Sequence, residues 1–355
     1  MSPRFYRLRG ENTIRLIKFS TRFVNPGQCC FLNRNDVIFI QLPKEFCGTL
    51  WKRSMIHSAD NEDTMNRIHR RQFVSQSLAG AAALWSGIRT PSFSAAPLMK
   101  KEATDRVVLG NTGIKLSRLA MGSGTSGSNY SSDQVRLGLK GFSDLLVYGF
   151  DQGINFWEAA DQYGSHPCLS AGAKQVGRDK LVLLTKTHAR TAPQMRADLD
   201  RFRKELGTDC IDIVLLHCMM SAQWPEERRG AMDVLEEARE KGIIRAHGVS
   251  CHTLEALQVA AKHPWVQVDQ ARINPIQAYM DADPATVISV LREMKKAGKG
   301  VIGMKIMGQG KLSHDPNRAI EHAAKLDCID CFTIGFTNSK QLDEVVSKVP
   351  RLSVS

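Results

Sequence analysis

The sequence predicts an α/β fold, a (β/α)8 TIM barrel preceded by an N-terminal β-hairpin, on three observations. From Val107 onward, short β-branched runs alternate with helical patterns eight times, the signature of parallel βαβ units. Those pairs occupy about 240 residues, the usual span of one such barrel. No GxGxxG turn follows the first strand, so a doubly wound dinucleotide-binding sheet would lack its phosphate loop.

The hairpin is placed around Gly110-Asn111-Thr112-Gly113, which has the residues a tight reversal needs. Barrel strands follow near Leu119–Gly122, Ile154–Trp157, Leu181–Thr185, Ile211–Leu216, Ile244–Val249, Val266–Ala271, Val301–Lys305 and Cys331–Ile334. Helical spacing of apolar residues falls in Ala192–Leu206, Pro225–Lys241, Leu254–His263, Pro284–Ala297 and Asn317–Leu326. Chemistry in such barrels gathers at the C-terminal strand ends. Strand two is followed by Glu158, Asp161 and Tyr163, strand three ends in Lys186, and strand four ends in His217. Ser250 ends strand five, Gln270 ends strand six, and Gly335-Phe336-Thr337-Asn338 ends strand eight. Polar groups from many strands therefore converge on one rim.

The chain has 355 residues, 43% hydrophobic and 24% charged, a globular composition with no run long and apolar enough to span a bilayer. Its net charge of +12 is uneven. Residues 1–100 hold 15 Lys+Arg against 6 Asp+Glu, an excess of +9, and residues 101–355 hold 33 against 30, an excess of +3. A nearly neutral body without a basic-aromatic platform argues against a nucleic-acid partner. Within the basic head, Arg70-Arg71-Gln72-Phe73-Val74 precedes the weakly apolar run Ser75–Trp85 and the small residues Ser94-Ala95-Ala96. That order resembles a twin-arginine export signal, which implies a periplasmic location, with a cytoplasmic one as the alternative. Such signals begin near an N-terminus, so residues 65–100 are read as signal and linker, with Met65 the more natural start. Residues 1–64 show no sustained period and read as a disordered extension or an over-long start, and residues 101–355 form the barrel. Cys29, Cys30 and Cys47 lack metal-ligand spacing, and no metal site is expected. Cys328 and Cys331 form a CxxC at a strand start, where buried apolar cysteine is the expected role.

Hydride delivery to a carbonyl leaves negative charge on its oxygen, so such a site needs a proton donor and a group that stabilises the developing alkoxide. A tyrosine can donate, although its unperturbed pKa of about 10 is high for transfer near neutrality. A neighbouring ammonium lowers that pKa, and a carboxylate can hold the ammonium in place. Tyr163, Lys186 and Glu158 suit these roles, and a neutral His217 can orient the carbonyl.

Ile154-Asn155-Phe156-Trp157-Glu158-Ala159-Ala160-Asp161-Gln162-Tyr163-Gly164, Leu184-Thr185-Lys186 and Ile211-Asp212-Ile213-Val214-Leu215-Leu216-His217 resemble the three catalytic segments of the aldo-keto reductases. The resemblance covers about residues 105–348. It implies a (β/α)8 barrel and an NAD(P)H-dependent oxidoreductase that reduces an aldehyde or ketone to an alcohol. NADPH, with NADH as the alternative, would lie in an extended pose without a Rossmann fold. Tyr163 would take the acid position, Lys186 the pKa-lowering lysine, His217 the orienting histidine and Glu158 the carboxylate. The family usually has aspartate at that last position, so Glu158 sets the charge one methylene further out. Asp161 matches a non-catalytic aspartate.

The same resemblance gives Ser250 and Gln270 to the nicotinamide carboxamide, with Cys251 where the family has asparagine. It sets Met304 against the nicotinamide ring, where many relatives have an aromatic. Gly308 and Gly310 would permit a close backbone approach. Gly335, Phe336, Thr337 and Asn338 would form the phosphate turn, with Gln341 and Glu344 near the adenine. Lys340 is the nearest cation for a 2′-phosphate.

The partner expected is a small carbonyl compound. Ser126–Ser132 and Cys218–Trp224 are the expected pocket walls, with Trp224 an apolar contact, and little chain follows the last helix to form a long substrate loop. Two alternatives remain at this stage: a Schiff-base lyase using Lys186, and a non-catalytic NADPH-binding sensor.

Overall fold

The computed structural model describes three strands in the first hundred residues and then residues 100–353. The chain divides into two units, residues 1–92 and 93–355. In the first, β1 (Ser20–Asn25), β2 (Gln28–Asn33) and β3 (Asp36–Gln41) form an antiparallel sheet within a stretch that the sequence pattern left without period. The signal-like segment with Arg70 and Arg71 lies outside the described residues.

The second unit opens with the expected hairpin. Its strands β4 (Arg106–Val108) and β5 (Lys115–Ser117) pair antiparallel across a turn at Gly110–Thr112. Eight parallel strands then close a barrel in sequence order: β6 (Leu119–Gly122), β7 (Phe156–Glu158), β8 (Val182–Thr187), β9 (Ile211–Met219), β10 (Ile244–Cys251), β11 (Val268–Arg272), β12 (Gly300–Met304) and β13 (Cys331–Gly335). Closure comes from β13 against β6, with Thr333 opposite Ala120 and Gly335 opposite Gly122.

Alternation along each strand sorts side chains between two cores. Ala120, Phe156, Val182, Leu184, Ile213, Leu215, Ala246, Val268, Ile302 and Cys331 fill the barrel interior. Their neighbours Leu119, Trp157, Leu183, Val214, Leu216, Val249, Ala271 and Phe332 pack outward under the helices. The hairpin closes one end: Leu109, Ile114 and Leu116 join the interior cluster, and the Asn111 N–H donates to the Gly298 carbonyl at 2.8 Å, just before β12 begins. Gly110, at φ +48°, makes this approach possible, because a Cβ there would stand 2.3 Å from the Gly300 nitrogen.

Helices form where apolar spacing and caps agree. Ala192–Leu206 buries Met195, Leu199, Phe202 and Leu206, starts at a Thr191/Gln194 capping box and stops at Gly207 with φ 65°. The helix expected over Pro225–Lys241 is instead two, Trp224–Glu227 and Arg229–Glu240. Arg228 leaves helical backbone between them, at φ −113°, while its guanidinium donates to the carbonyls of His188 and Ala189. Cys328 and Cys331 are both buried, as expected, and they form no bridge with each other. No described helix is long and apolar enough to cross a membrane.

Removing the hairpin plug is expected to be costly. Leu116→Ala, at a fully buried position, should destabilise the barrel by about 2–5 kcal/mol, read as a lower midpoint in urea unfolding; an unchanged midpoint would show that the hairpin contributes nothing.

Candidate active site

Strand parity decides what the open end of the barrel contains. Two residues beyond the inward-facing Phe156, Leu184, Leu215 and Val268 come Glu158, Lys186, His217 and Gln270, which face the same interior one layer higher. Above them lies a cleft of about 790 Å3, within the range of small-ligand sites. Glu158, Tyr163, His217, Gln270, Met304, Gly310, Gly335, Phe336, Thr337, Gln341 and Glu344 line it. Lys186, Ser250, Gly308 and Asn338 do not, and each has another position.

Lys186 is fully buried beneath the cleft, donating to Glu158 Oε1 and, at 2.9 Å, to the Ala159 carbonyl. The longer carboxylate therefore reaches its lysine. Its other oxygen, Oε2, accepts from Thr333 Oγ1 at 3.4 Å. Ser250 is used by the fold, its Oγ accepting from the Cys218 N–H at 3.1 Å. Asn338 caps the helix Ser339–Leu352, accepting from the Gln341 N–H at 3.1 Å. Gly308 is buried in the turn after β12.

Tyr163 stands edge-on to His217, ring centroids 5.8 Å apart, and the Lys186 ammonium lies 5.1 Å from the tyrosine ring centroid. Gly124 and Gly127 make room for the ring, since a Cβ at either would fall 2.1 or 2.4 Å from it. Gly124 escaped the sequence reading, while Gly127 belongs to the expected wall Ser126–Ser132. The expected lowering of the phenol pKa is not found. Tyr163 keeps part of its surface open to the cleft, yet burial, then Glu158 and Cys218, push its pKa well above 10. Lys186 is already answered by Glu158, so desolvation wins. His217 moves the other way, held well below 6.5 by burial and by Lys186, His188, His252 and Lys305. It is a neutral imidazole at physiological pH.

Gln270 is almost fully buried, and neither Oε1 nor Nε2 has a partner among the described residues. An orphaned amide facing a cleft suits a ligand that both donates and accepts, as a carboxamide does. Met304 and Gly335 to Thr337 continue the wall toward the N-terminus of the helix Ser339–Leu352, an end that favours anionic oxygens. The donor set therefore fits a nicotinamide dinucleotide. Lys305, also missed by the sequence reading, lines the cleft at φ 59° with its pKa lowered by burial.

Of the expected walls, Ser126, Gly127 and Ser128 line the cleft, but only Cys218 does so from Cys218–Trp224. Trp224 is buried beside a second cavity of about 240 Å3 instead. Asp161 lies outside the cleft, paired with Arg201 at 2.7 and 2.9 Å. Cys251 is buried and does not line the cleft; its thiol is set against Asp269.

Residues 118–349 match the sequence profile of the Aldo/keto reductase family. The NADP(+) aldo-keto reductase yakc of Schizosaccharomyces pombe is 30% identical over 166 residues, which cover 42% of this chain and 48% of that protein. The chain thus spans about half the length of that relative. L-galactose dehydrogenase of Arabidopsis thaliana is 23% identical over 251 residues, 64% of this chain and 75% of that protein. A solved structure assigned as an aldo-keto reductase from Pseudomonas aeruginosa superposes with a TM-score of 0.59 at 21% identity, over 71% of this chain and 97% of that one. That last likeness is one of fold.

Behind the site, burial and then Asp281 push Asp269 up to about 8. A folded pKa above the unfolded one adds stability at low pH that is lost as pH rises toward the folded value. Histidines held neutral by burial act oppositely, but only below their ordinary pKa of about 6.5. Between about pH 6.5 and 8, stability is therefore expected to fall by about 1.4 kcal/mol per pH unit. Urea midpoints should show this slope in the parent and lose it in Asp269→Asn; equal slopes would mean Asp269 is ionised when folded.

Proposed function

The chain belongs to the aldo/keto reductase family, and on that premise we propose that it is an NADPH-dependent oxidoreductase that reduces a small aldehyde or ketone to its alcohol. The observation that carries this reading is the sharing of one cleft by Tyr163, neutral His217 and Glu158, the last held by the buried Lys186.

When bound, the nicotinamide supplies the hydride. Gln270 would hold its carboxamide, Met304 its ring, and the backbone of Gly335 to Thr337 its phosphates. His217 donates an N–H to the carbonyl oxygen and so fixes the carbonyl's direction. Tyr163, protonated throughout the neutral range, passes its Oη proton to that oxygen as negative charge develops. The phenolate left behind faces the Lys186 ammonium across its ring, and Glu158 holds that ammonium in place. The NADP(+) in the name of the S. pombe relative supports NADPH over NADH.

A Schiff-base reaction at Lys186 finds less support, because that amine is fully buried and bonded to Glu158. A non-catalytic sensor is separated from the reductase by turnover. With 4-nitrobenzaldehyde, the parent is expected to consume NADPH, followed by its absorbance, and Tyr163→Phe should lose about 10²–10⁴ of kcat. Cofactor binding without consumption in the parent would move the sensor reading ahead; no binding at all would remove the cofactor assignment.

We also propose export through residues 65–100, supported by the order of Arg70-Arg71, apolar run and small residues. Replacing both arginines with lysine in the full chain should hold the protein in the bacterial cytoplasm. Unchanged fractionation would remove the proposal.

A further inference from the structure

Where β8 and β9 end, two histidines and a cysteine meet. His188, His217 and Cys218 each offer a ligand atom, and these atoms lie within 4.8 Å of one another. The two imidazoles stack, centroids 4.7 Å apart, and Nδ1 of the buried His217 has no partner among the described residues. A third histidine from the end of β10 completes the group: His252 Nε2 stands 3.5 Å from Cys218 Sγ. In a tetrahedral zinc site, with Zn–N about 2.0 Å and Zn–S about 2.3 Å, the N···S edge is about 3.5 Å. One edge of such a site is thus already at ligand spacing. His188 is exposed and free to turn inward, giving up the bond of its Nε2 to Gln162 Oε1.

We propose that His188, His217, Cys218 and His252 form a site for a divalent cation of the zinc class, and that its occupancy shuts the cleft. Mixed imidazole and thiol donors select such ions over magnesium or calcium, which prefer oxygen. Ligation forms a metal–sulfur bond and breaks the Cys218 S–H bond, its proton passing to solvent, so the site gains one positive charge rather than two. Of the cations nearby, Lys186 is answered by Glu158 and Arg272 by Asp281, leaving Lys305 and Arg228 as the charges that oppose binding. Access is open from both sides, because Cys218 lines the cleft and also the second cavity.

The shutting rests on the carbonyl-reducing reading, since a cation held by Cys218 and His252, which line the cleft beside His217, would stand where the carbonyl has to lie; the binding does not. Cobalt(II) is the probe for the full chain. A thiolate-to-cobalt charge-transfer band is expected, reversed by added zinc. It should vanish in Cys218→Ser, persist when Cys29, Cys30 and Cys47 are replaced by serine, and need roughly tenfold more cobalt in His188→Ala. Thermal midpoints check that each variant folds. No band, or one that survives Cys218→Ser, would overturn the site. Zinc is expected to inhibit NADPH consumption in the parent at lower concentration than in His188→Ala. Cobalt binding with turnover untouched would overturn the shutting. A protein that binds cobalt through Cys218 and never consumes NADPH keeps the site, and only the proposed reaction fails.

Discussion

Closing eight parallel strands on themselves forces every second side chain of each strand into an interior with no room for solvent. The lower layers here are apolar, from Phe156 and Val182 up to Leu184 and Leu215, and the hairpin residues Leu109, Ile114 and Leu116 seal the end beneath them. Water can therefore reach the interior only from the C-terminal strand ends. The next residues in the same parity are Glu158, Lys186, His217 and Gln270, so the layer that meets the opening is polar while its floor is dry. That combination gives the site its electrostatics. A charge on this layer is solvated on one side only, and the shifts of Tyr163 upward and His217 downward share this cause.

Within that layer the ion pair between Glu158 and Lys186 holds the rest in place. Removing one member of a buried pair leaves an uncompensated charge and costs about 3–5 kcal/mol, so the pair commits β7 and β8 to one arrangement of their ends. Thr333 reaches across from β13 to the second carboxylate oxygen, which links the closing strand of the barrel to the same pair. The extra methylene of glutamate thus does not loosen the contact; it leaves one oxygen for the lysine and one for the threonine. A lysine so held keeps its Nζ in one place against the tyrosine ring, whether or not the cleft is filled.

These features were unequally legible. The eight strands, their order and the four residues of the polar layer follow from alternation and spacing, because a strand end in a barrel has one direction to face. Strand boundaries moved in both directions: β9 continues through His217 to Met219, whereas β7 begins only at Phe156. Ser250 was harder to read: its hydroxyl is taken by the Cys218 N–H, a contact between residues 32 apart that no local pattern reveals. Trp224 reads as a pocket wall by type, yet its helix turns it under the chain when Arg228 ties that segment to the end of β8. Gly124 carries no signal of its own, since only the tyrosine packed on it gives it a purpose. Likewise, His188, His217, Cys218 and His252 come from three strand ends, so no ligand spacing appears along the chain.

The rim also concentrates backbone strain. Ser126, Cys218, Lys305 and Gln309 all line the cleft with φ between 54° and 59°, where a side chain is disfavoured and glycine is not. Such conformations cost about 1–3 kcal/mol each and persist only where surrounding structure over-determines them. Cys218 and Lys305 directly follow the last inward-facing residues His217 and Met304. A strand that continued in extended form would turn the next side chain outward, under the helices. The left-handed turn is what lets both Cys218 and Lys305 face the cleft instead. Their strain is thus the cost of adding a thiol and an ammonium to a layer that alternation alone would have left without them. Since Lys186 and Arg272 are each answered by a carboxylate, Lys305 gives this cleft its unbalanced positive charge and its attraction for anionic oxygens.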